Sequence, residues 1–226
     1  MKTTALPNYR DHEAVYQHLR ASGAQGWSGD DEYATMESLV LPWLGKPSGL
    51  RVLELGSGAG NFSALLARRG HRVHGVEISP TAVEWANART KETGLACTFA
   101  CDDVCTLGSC QDGSFDVVVD GHCLHCIIGD DRQRCLRAAG RVLAPDGRLI
   151  VLTMCGEVRN PRLLSAWDPE TQVAFHAGKP VRQIGRAEAI VQEIESAGFA
   201  VDHWHVEERQ NDQDQDDLVV AARRKG

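Results

Sequence analysis

Val52-Leu-Glu-Leu-Gly-Ser-Gly-Ala-Gly-Asn61 runs an apolar segment straight into glycines at 56, 58 and 60. Residues 50–55 read as a short buried strand, and residues 61–69 as an amphipathic helix stopped by Gly70. Such glycines permit a tight turn and let a ligand approach backbone that a Cβ would screen. In open α/β sheets, ligands bind at the carboxyl ends of strands like this one. The spacing is G-x-G-x-G; the third glycine of the dinucleotide fingerprint would fall on Asn61. Glu54 puts a carboxylate beside the turn, which suits a positively charged ligand better than a pyrophosphate.

Outward from this turn, strands and helices alternate. Residues 71–78, 96–101, 115–119 and 148–154 read as strands; residues 80–93 and 131–143 read as helices. Ser79 is the expected cap of the first helix, with Pro80 at its first position. Pro145-Asp146-Gly147 is the expected turn after the second. Alternation of this kind implies a parallel sheet covered on both faces. Two helices, 11–20 and 31–43, precede it, separated by a turn with Gly23, Gly26 and Gly29. Residues 155–182 read as irregular, long enough for a lid. A helix at 186–197 and strands at 201–206 and 218–222 follow. The link between those strands is too short for a crossover helix, so they should pair antiparallel. The acidic run 212–217 reads as a solvated turn.

The expected fold is α/β: a Rossmann-like, doubly wound, mostly parallel seven-stranded sheet with an antiparallel C-terminal hairpin. One domain is expected over 1–226, with a helical cap (1–49), a cofactor-binding core (50–154), a substrate-side insertion (155–185) and a C-terminal helix and hairpin (186–226).

Composition bounds the function. The chain has 226 residues, 42% hydrophobic and 24% charged, which is globular in character. Its formal net charge of −7 argues against a broad grip on nucleic acid, which needs phosphate-neutralising Lys and Arg. The N-terminal stretch lacks the apolar core of a secretory signal, and no run of 18 apolar residues occurs, so no membrane association is expected. Eight cysteines without an export signal read as reduced thiols, and the expected location is the cytoplasm.

Glu77, at the end of the second strand, can accept two hydrogen bonds from a ribose diol, each charge-assisted bond worth about 1.5–3 kcal/mol. That supports an adenosine ligand without choosing among cofactors. Ala100-Cys-Asp-Asp-Val104, Phe115-Asp-Val-Val-Val-Asp120 and Arg141-Val-Leu-Ala-Pro-Asp-Gly-Arg-Leu-Ile150 then follow in order. With these the sequence resembles the class I S-adenosylmethionine-dependent methyltransferase family, specifically its small single-domain members, over about residues 50–155.

The resemblance implies S-adenosylmethionine as cofactor and S-adenosylhomocysteine as product. Glu54, Gly56, Ser57, Gly58 and Gly60 correspond to the motif that wraps the methionine part. Glu77 corresponds to the ribose-binding acid and Ile78 to the residue packing on adenine. Asp102 corresponds to the acid facing the adenine amino group and Val104 to a backbone amide facing the ring, with the register between Asp102 and Asp103 open. Asp120 and Gly121 end the fourth strand, where the cofactor's amino group is met. For all of these the plain alternative is a cap or turn residue.

Asp120-Gly-His-Cys-Leu-His-Cys-Ile127 leaves that strand near the expected methyl group. His122 is the candidate general base or hydrogen-bond partner, since an imidazole with a pKa near 6.5 can do either. His125 and Cys126 are substrate-facing candidates whose first reading is structural, as residues that cap and pack the short helix that follows. Trp27 is a candidate for the substrate pocket or for packing on the core. Arg159, Trp167, His176 and Arg182 are unranked specificity candidates. His122, Cys123, His125 and Cys126 have zinc-type residues, but no second ligand pair has suitable spacing, so no metal is expected.

The expected reaction is methyl transfer to an N, O or S atom of a small molecule. One alternative is a thiol- or metalloid-directed enzyme with Cys101, Cys123, Cys126 and Cys155 converging at the mouth. Others are a non-catalytic S-adenosylmethionine-binding protein, a macromolecule modifier and a nicotinamide dehydrogenase.

Overall fold

The structure is a computed structural model and describes residues 6–209 and 214–225. Strand β1 (Arg51–Leu55) is buried along its last four residues, as a strand covered on both faces must be. It pairs in parallel with β2 (Arg72–Glu77) on one side and β4 (Phe115–Gly121) on the other. β3 (Cys97–Cys101) lies outside β2, and β5 (Leu143–Cys155) outside β4. The C-terminal strands β9 (Phe199–Glu207) and β10 (Asp216–Arg224) complete a seven-stranded sheet of order β3-β2-β1-β4-β5-β10-β9. β10 is antiparallel to both of its neighbours. This is the expected mostly parallel sheet with an antiparallel C-terminal pair.

Period-two alternation sends successive residues of each strand to opposite faces. Leu53, Leu55, Val118, Leu149 and Val151 meet Leu136 of α5 (Asp130–Val142) and Ile190 and Ile194 of α7 (Ala187–Ser196). On the other face Val52, Val117, Val119 and Ile150 meet Met36 and Val40 of α2 (Asp30–Val40) and Phe62 and Leu66 of α3 (Asn61–Arg68). Full burial of a Leu or Val side chain contributes about 1.5–3 kcal/mol, so the core sits on both faces of β1 and β4 and fixes their carboxyl ends. α4 (Pro80–Thr93) is capped as its sequence predicts, with Ser79 Oγ accepting from Ala82 N at 3.1 Å and Pro80 in the first turn.

The N-terminal helix α1 (His12–Ala21) crosses the carboxyl end of the sheet. Glu13 ties it to the start of α4, accepting from Ser79 Oγ and Thr81 Oγ1 at 2.6 Å each. The following loop is held to α3, where Asn61 Nδ2 donates to Gln25 O at 3.0 Å.

Three expectations need correction. Residues 144–147 form a bulge within β5 rather than a turn before it, with pairing slipping between Phe115 and Val117. The stretch expected to be irregular contains α6 (Pro161–Leu164) and a separate antiparallel sheet of β6 (Trp167–Asp168), β7 (Val173–His176) and β8 (Lys179–Gln183). Its strands are too short to show an alternation. Ala177 and Gly178, both at positive φ (49° and 76°), make the tight β7–β8 turn. The acidic run divides: 212 and 213 lie outside the described residues, while Asp216 and Asp217 belong to β10, and Asp217 is buried.

Candidate functional site

One cavity of about 530 Å³ opens over the carboxyl ends of β1, β2 and β4. The turn after β1 supplies its floor. Gly56 and Gly58 take φ of +63° and +52°, a left-handed region that favours glycine. A Cβ on Gly58 would stand 2.5 Å from Tyr16 Oη, and one on Gly56 would stand 2.8 Å from Cys123 Sγ. Gly60 does not line the cavity; a Cβ there would meet Phe99 and Ala86, so it lets the turn close onto β3 and α4.

Glu77 is buried and lines the cavity, its oxygens accepting from Gly58 N and Ser79 N at 3.0 Å each. Burial raises its pKa against these amides. Glu54 is buried deeper, with Ser63 Oγ donating to it. Desolvation is the larger influence and pushes its carboxyl up to about 8, with Glu77 and Asp120 adding repulsion. Ser57 and Ile78 also line the cavity, as their positions in sequence led one to expect.

The open register after β3 now has an arrangement. Asp102 turns away from the cavity and accepts from Ser109 N and Ser109 Oγ, both at 2.7 Å. Asp103 and Val104 line it instead, with Asp103 Oδ1 accepting from Cys105 N at 2.8 Å. Asp120 likewise serves the backbone, accepting from Cys123 N at 2.7 Å and Leu124 N at 2.9 Å; Gly121 is the strand-end residue that reaches the cavity. These bonds are local capping, the plain alternative for Asp102 and Asp120.

His122 follows at φ +67°, a left-handed conformation costly for a residue with a Cβ. Its Nε2 lies 3.0 Å from Asp217 Oδ1, near enough for an ion pair, although neither atom has a well-directed hydrogen bond. Burial lowers the His122 pKa, but Asp217 outweighs it and the net direction is upward. Asp217 is held on its far side by Arg209, which also donates to Glu32 Oε1 at 2.9 Å. Glu32, His122 and Asp217 bring one ligand atom each within 4.8 Å of one another, but the Arg209 guanidinium already supplies the positive charge between the two carboxylates.

Trp27, His125, Cys126 and Arg182 line the same end of the cavity. Trp27 sits 5.5 Å from the Tyr16 ring and 5.8 Å from the Arg182 guanidinium. Among the other specificity candidates, Arg159 pairs with Asp216, and neither Trp167 nor His176 reaches the cavity. Of the four thiols weighed for a metalloid-directed alternative, Cys123 and Cys126 line the cavity, Cys101 is exposed at the end of β3, and Cys155 is buried in the core. Sequence reasoning missed Asp217, Arg209, Glu32, Tyr16 and His12. An acidic residue heading an unbroken apolar run, as in Asp217-Leu-Val-Val, was the available signal for the first.

The model of the methyltransferase domain matches residues 53–151. A ubiquinone biosynthesis O-methyltransferase of Xanthomonas axonopodis pv. citri (strain 306) is 32% identical over 149 residues, covering 63% of this chain and 62% of its own length. The protein of that description from Idiomarina loihiensis is 27% identical over 148 residues, covering 62% and 60%. The chain thus spans less than two thirds of the length of these curated relatives. Among solved structures, a 1,6-didemethyltoxoflavin-N1-methyltransferase of Burkholderia thailandensis superposes with a TM-score of 0.75 at 19% identity, covering 98% of this chain and 92% of its own. The [4+2]-cyclase SpnF does so at 0.75 and 18%, covering 98% and 97%. Residues 53–151 are thus similar to the methyltransferase domain, and the whole chain shares the fold of these solved structures.

Proposed function

We propose that this protein is an S-adenosylmethionine-dependent methyltransferase acting on an N, O or S atom of a small molecule, with His122 as general base. The observation that carries the reading is a single cavity joining a glycine-lined turn, two buried carboxylates and an ion-paired histidine. The residues fit the cofactor: bare backbone at 56 and 58 lines the cavity, Glu77 has lone pairs left for a ribose diol, and Glu54 is a buried carboxyl that an ammonium would neutralise. When bound, S-adenosylmethionine supplies an electrophilic methyl group on a sulfonium. The volume suits a nucleoside-sized ligand with a small acceptor beside it, within the roughly 300–1,000 Å³ typical of such sites.

The chain's own part is positioning and proton removal. Trp27, Tyr33, Met36 and Leu163 wall the acceptor end and exclude water. Alignment of two reactants supplies about 7–11 kcal/mol. Asp217 holds the imidazole from the Nε2 side, so Nδ1 takes the acceptor's proton. No helix among the described residues is long and apolar enough to cross a membrane. A small acceptor and a cytoplasmic location, without nucleic acid, complete the proposal.

The test is calorimetry with S-adenosylhomocysteine, followed by its release from S-adenosylmethionine in the presence of phenolic, amine and thiol acceptors. Binding without release for any acceptor points to the non-catalytic alternative. No binding at all removes the reading.

A further inference from the structure

The cavity is charged unevenly. Glu54, Glu77 and Asp103 put carboxyl groups on its walls, which suits a cofactor with an ammonium and a sulfonium. Two guanidinium groups also reach it, and they differ in their partners. Arg209 is neutralised by Glu32 and Asp217. Arg182 of β8, at the end walled by Trp27, pairs with no carboxylate among the described residues. Its one hydrogen bond among them runs from Nη1 to Val181 O at 2.7 Å. Cys126, which lines the same wall, turns its thiol to the His122 carbonyl at 3.9 Å and supplies no counter-ion.

The guanidinium is held in place before any ligand arrives. β8 pairs with β7, where Ala174 stands opposite Arg182. Gln183 Oε1 accepts from Gly129 N at 2.7 Å, and Lys179 Nζ donates to Asp11 Oδ2 at 2.5 Å, so both flanks of Arg182 are tied down. The guanidinium carbon lies 5.8 Å from the centroid of the Trp27 ring, a cation–π distance. With Nη1 engaged, the Nε–Nη2 edge remains, and two parallel N–H groups on such an edge match the two oxygens of a carboxylate. Trp27 is steadied by the Tyr16 ring at 5.5 Å, and Met36, Met154 and Leu163 add apolar lining. This end therefore offers a flat aromatic wall, apolar sides and one fork for an anion.

We propose that Arg182 seats a carboxylate carried by the methyl acceptor, so that the substrates are flat aromatic acids, a step that rests on the methyl-transfer reading above. A neutral acceptor of the same shape leaves the guanidinium desolvated without a counter-charge, and a site built around such a group discriminates against a ligand that lacks the match. A cationic amine is repelled both by Arg182 and by the sulfonium of the bound cofactor. An acid is attracted by both.

Calorimetry on the full chain tests the seat with benzoate, 2-naphthoate and indole-3-carboxylate, each against its primary amide, with and without saturating S-adenosylhomocysteine. At least one acid is expected to bind about tenfold or more tighter than its amide near neutral pH. Arg182→Gln should erase that preference while S-adenosylhomocysteine affinity and the thermal midpoint stay as in the native chain. Arg182→Lys keeps the charge without the fork, and should hold the acid at least about threefold more weakly than the native chain. Acids that bind no better than their amides overturn the proposal, as does a preference that survives Arg182→Gln. Tighter binding of 2-naphthyl phosphate than of 2-naphthoate overturns the carboxylate. A folded Arg182→Gln protein that loses S-adenosylhomocysteine assigns the guanidinium to the cofactor's own carboxylate and overturns the proposal too. Acid preference in a chain that never binds S-adenosylhomocysteine keeps the Arg182 seat and removes only the methyl-transfer reading.

Discussion

His122 Nε2 lies 3.0 Å from Asp217 Oδ1, joining the residue that follows β4 to the buried start of β10. The pairing gives the imidazole both an orientation and an upward pKa shift. A raised base is protonated and idle at low pH, so turnover should climb along an acid limb centred above the ordinary 6.5. Asp217→Asn should move that limb to lower pH. His122→Asn, which tolerates the left-handed φ of +67°, should fold and bind S-adenosylhomocysteine normally but lose roughly 10²–10⁴ in turnover. Full turnover in a folded His122→Asn protein removes the base from the mechanism.

Glu54 makes a second prediction, with opposite signs for stability and binding. Its folded pKa of about 8 lies above the ordinary 4.5. A carboxyl raised on folding stabilises most below its unfolded pKa, and that contribution is lost as pH climbs through 8. Glu54→Gln should therefore raise the thermal midpoint of the ligand-free protein by several degrees at pH 8 and leave it unchanged near pH 4.5. The same substitution should abolish S-adenosylhomocysteine binding. In the native protein at pH 7, binding an ammonium beside Glu54 should expel part of a proton, so the calorimetric heat should differ between phosphate and Tris buffers. Identical heats would mean that Glu54 does not change its charge.

What sequence revealed and concealed follows from how local each interaction is. The turn after β1 and the Ser79 cap were legible because their partners lie within a few residues. The C-terminal strand pairing was legible from the shortness of the link. Asp102 and Asp103 were not separable, because Ser109 selects Asp102 through a turn that no pattern announces. Asp217 read as one acid among several, and only the fold puts Arg209 and His122 on either side of it. His12 sits in an ordinary amphipathic helix, and nothing in that helix announces that it lines the cavity.

Gly58 tests the cradle. Alanine at φ +52° costs about 1–2 kcal/mol in backbone strain, and its methyl group would press on Tyr16 Oη. Gly58→Ala should lower the thermal midpoint and cut S-adenosylhomocysteine affinity at least about tenfold. Adding Tyr16→Phe removes the hydroxyl and should recover part of the stability but little affinity, since the methyl group still stands in the cavity. Recovery of both together would assign the defect to α1 rather than to the ligand.

Arg132 holds the floor of the acceptor end from beneath. It is 2% exposed, donates to Leu124 O at 2.7 Å, and meets the Glu193 carboxylate with three contacts of 2.8–3.0 Å. Leu124 begins the turn that carries His125 and Cys126. Arg132→Met keeps most of the volume but takes one of two donors from that carbonyl, which still accepts from Ile127 N at 3.0 Å, and leaves a half-buried carboxylate unpaired, which should cost about 2–4 kcal/mol in urea unfolding. Adding Glu193→Leu removes the stranded charge and should restore more than half of the loss, because an apolar pair of similar size replaces the ion pair. The carbonyl of Leu124 keeps only its bond from Ile127 N in both variants, so the turn should remain loosened and the acceptor KM should stay high even where stability returns. A KM that recovers together with stability would show that Arg132 supports the helices α5 and α7 and not the turn.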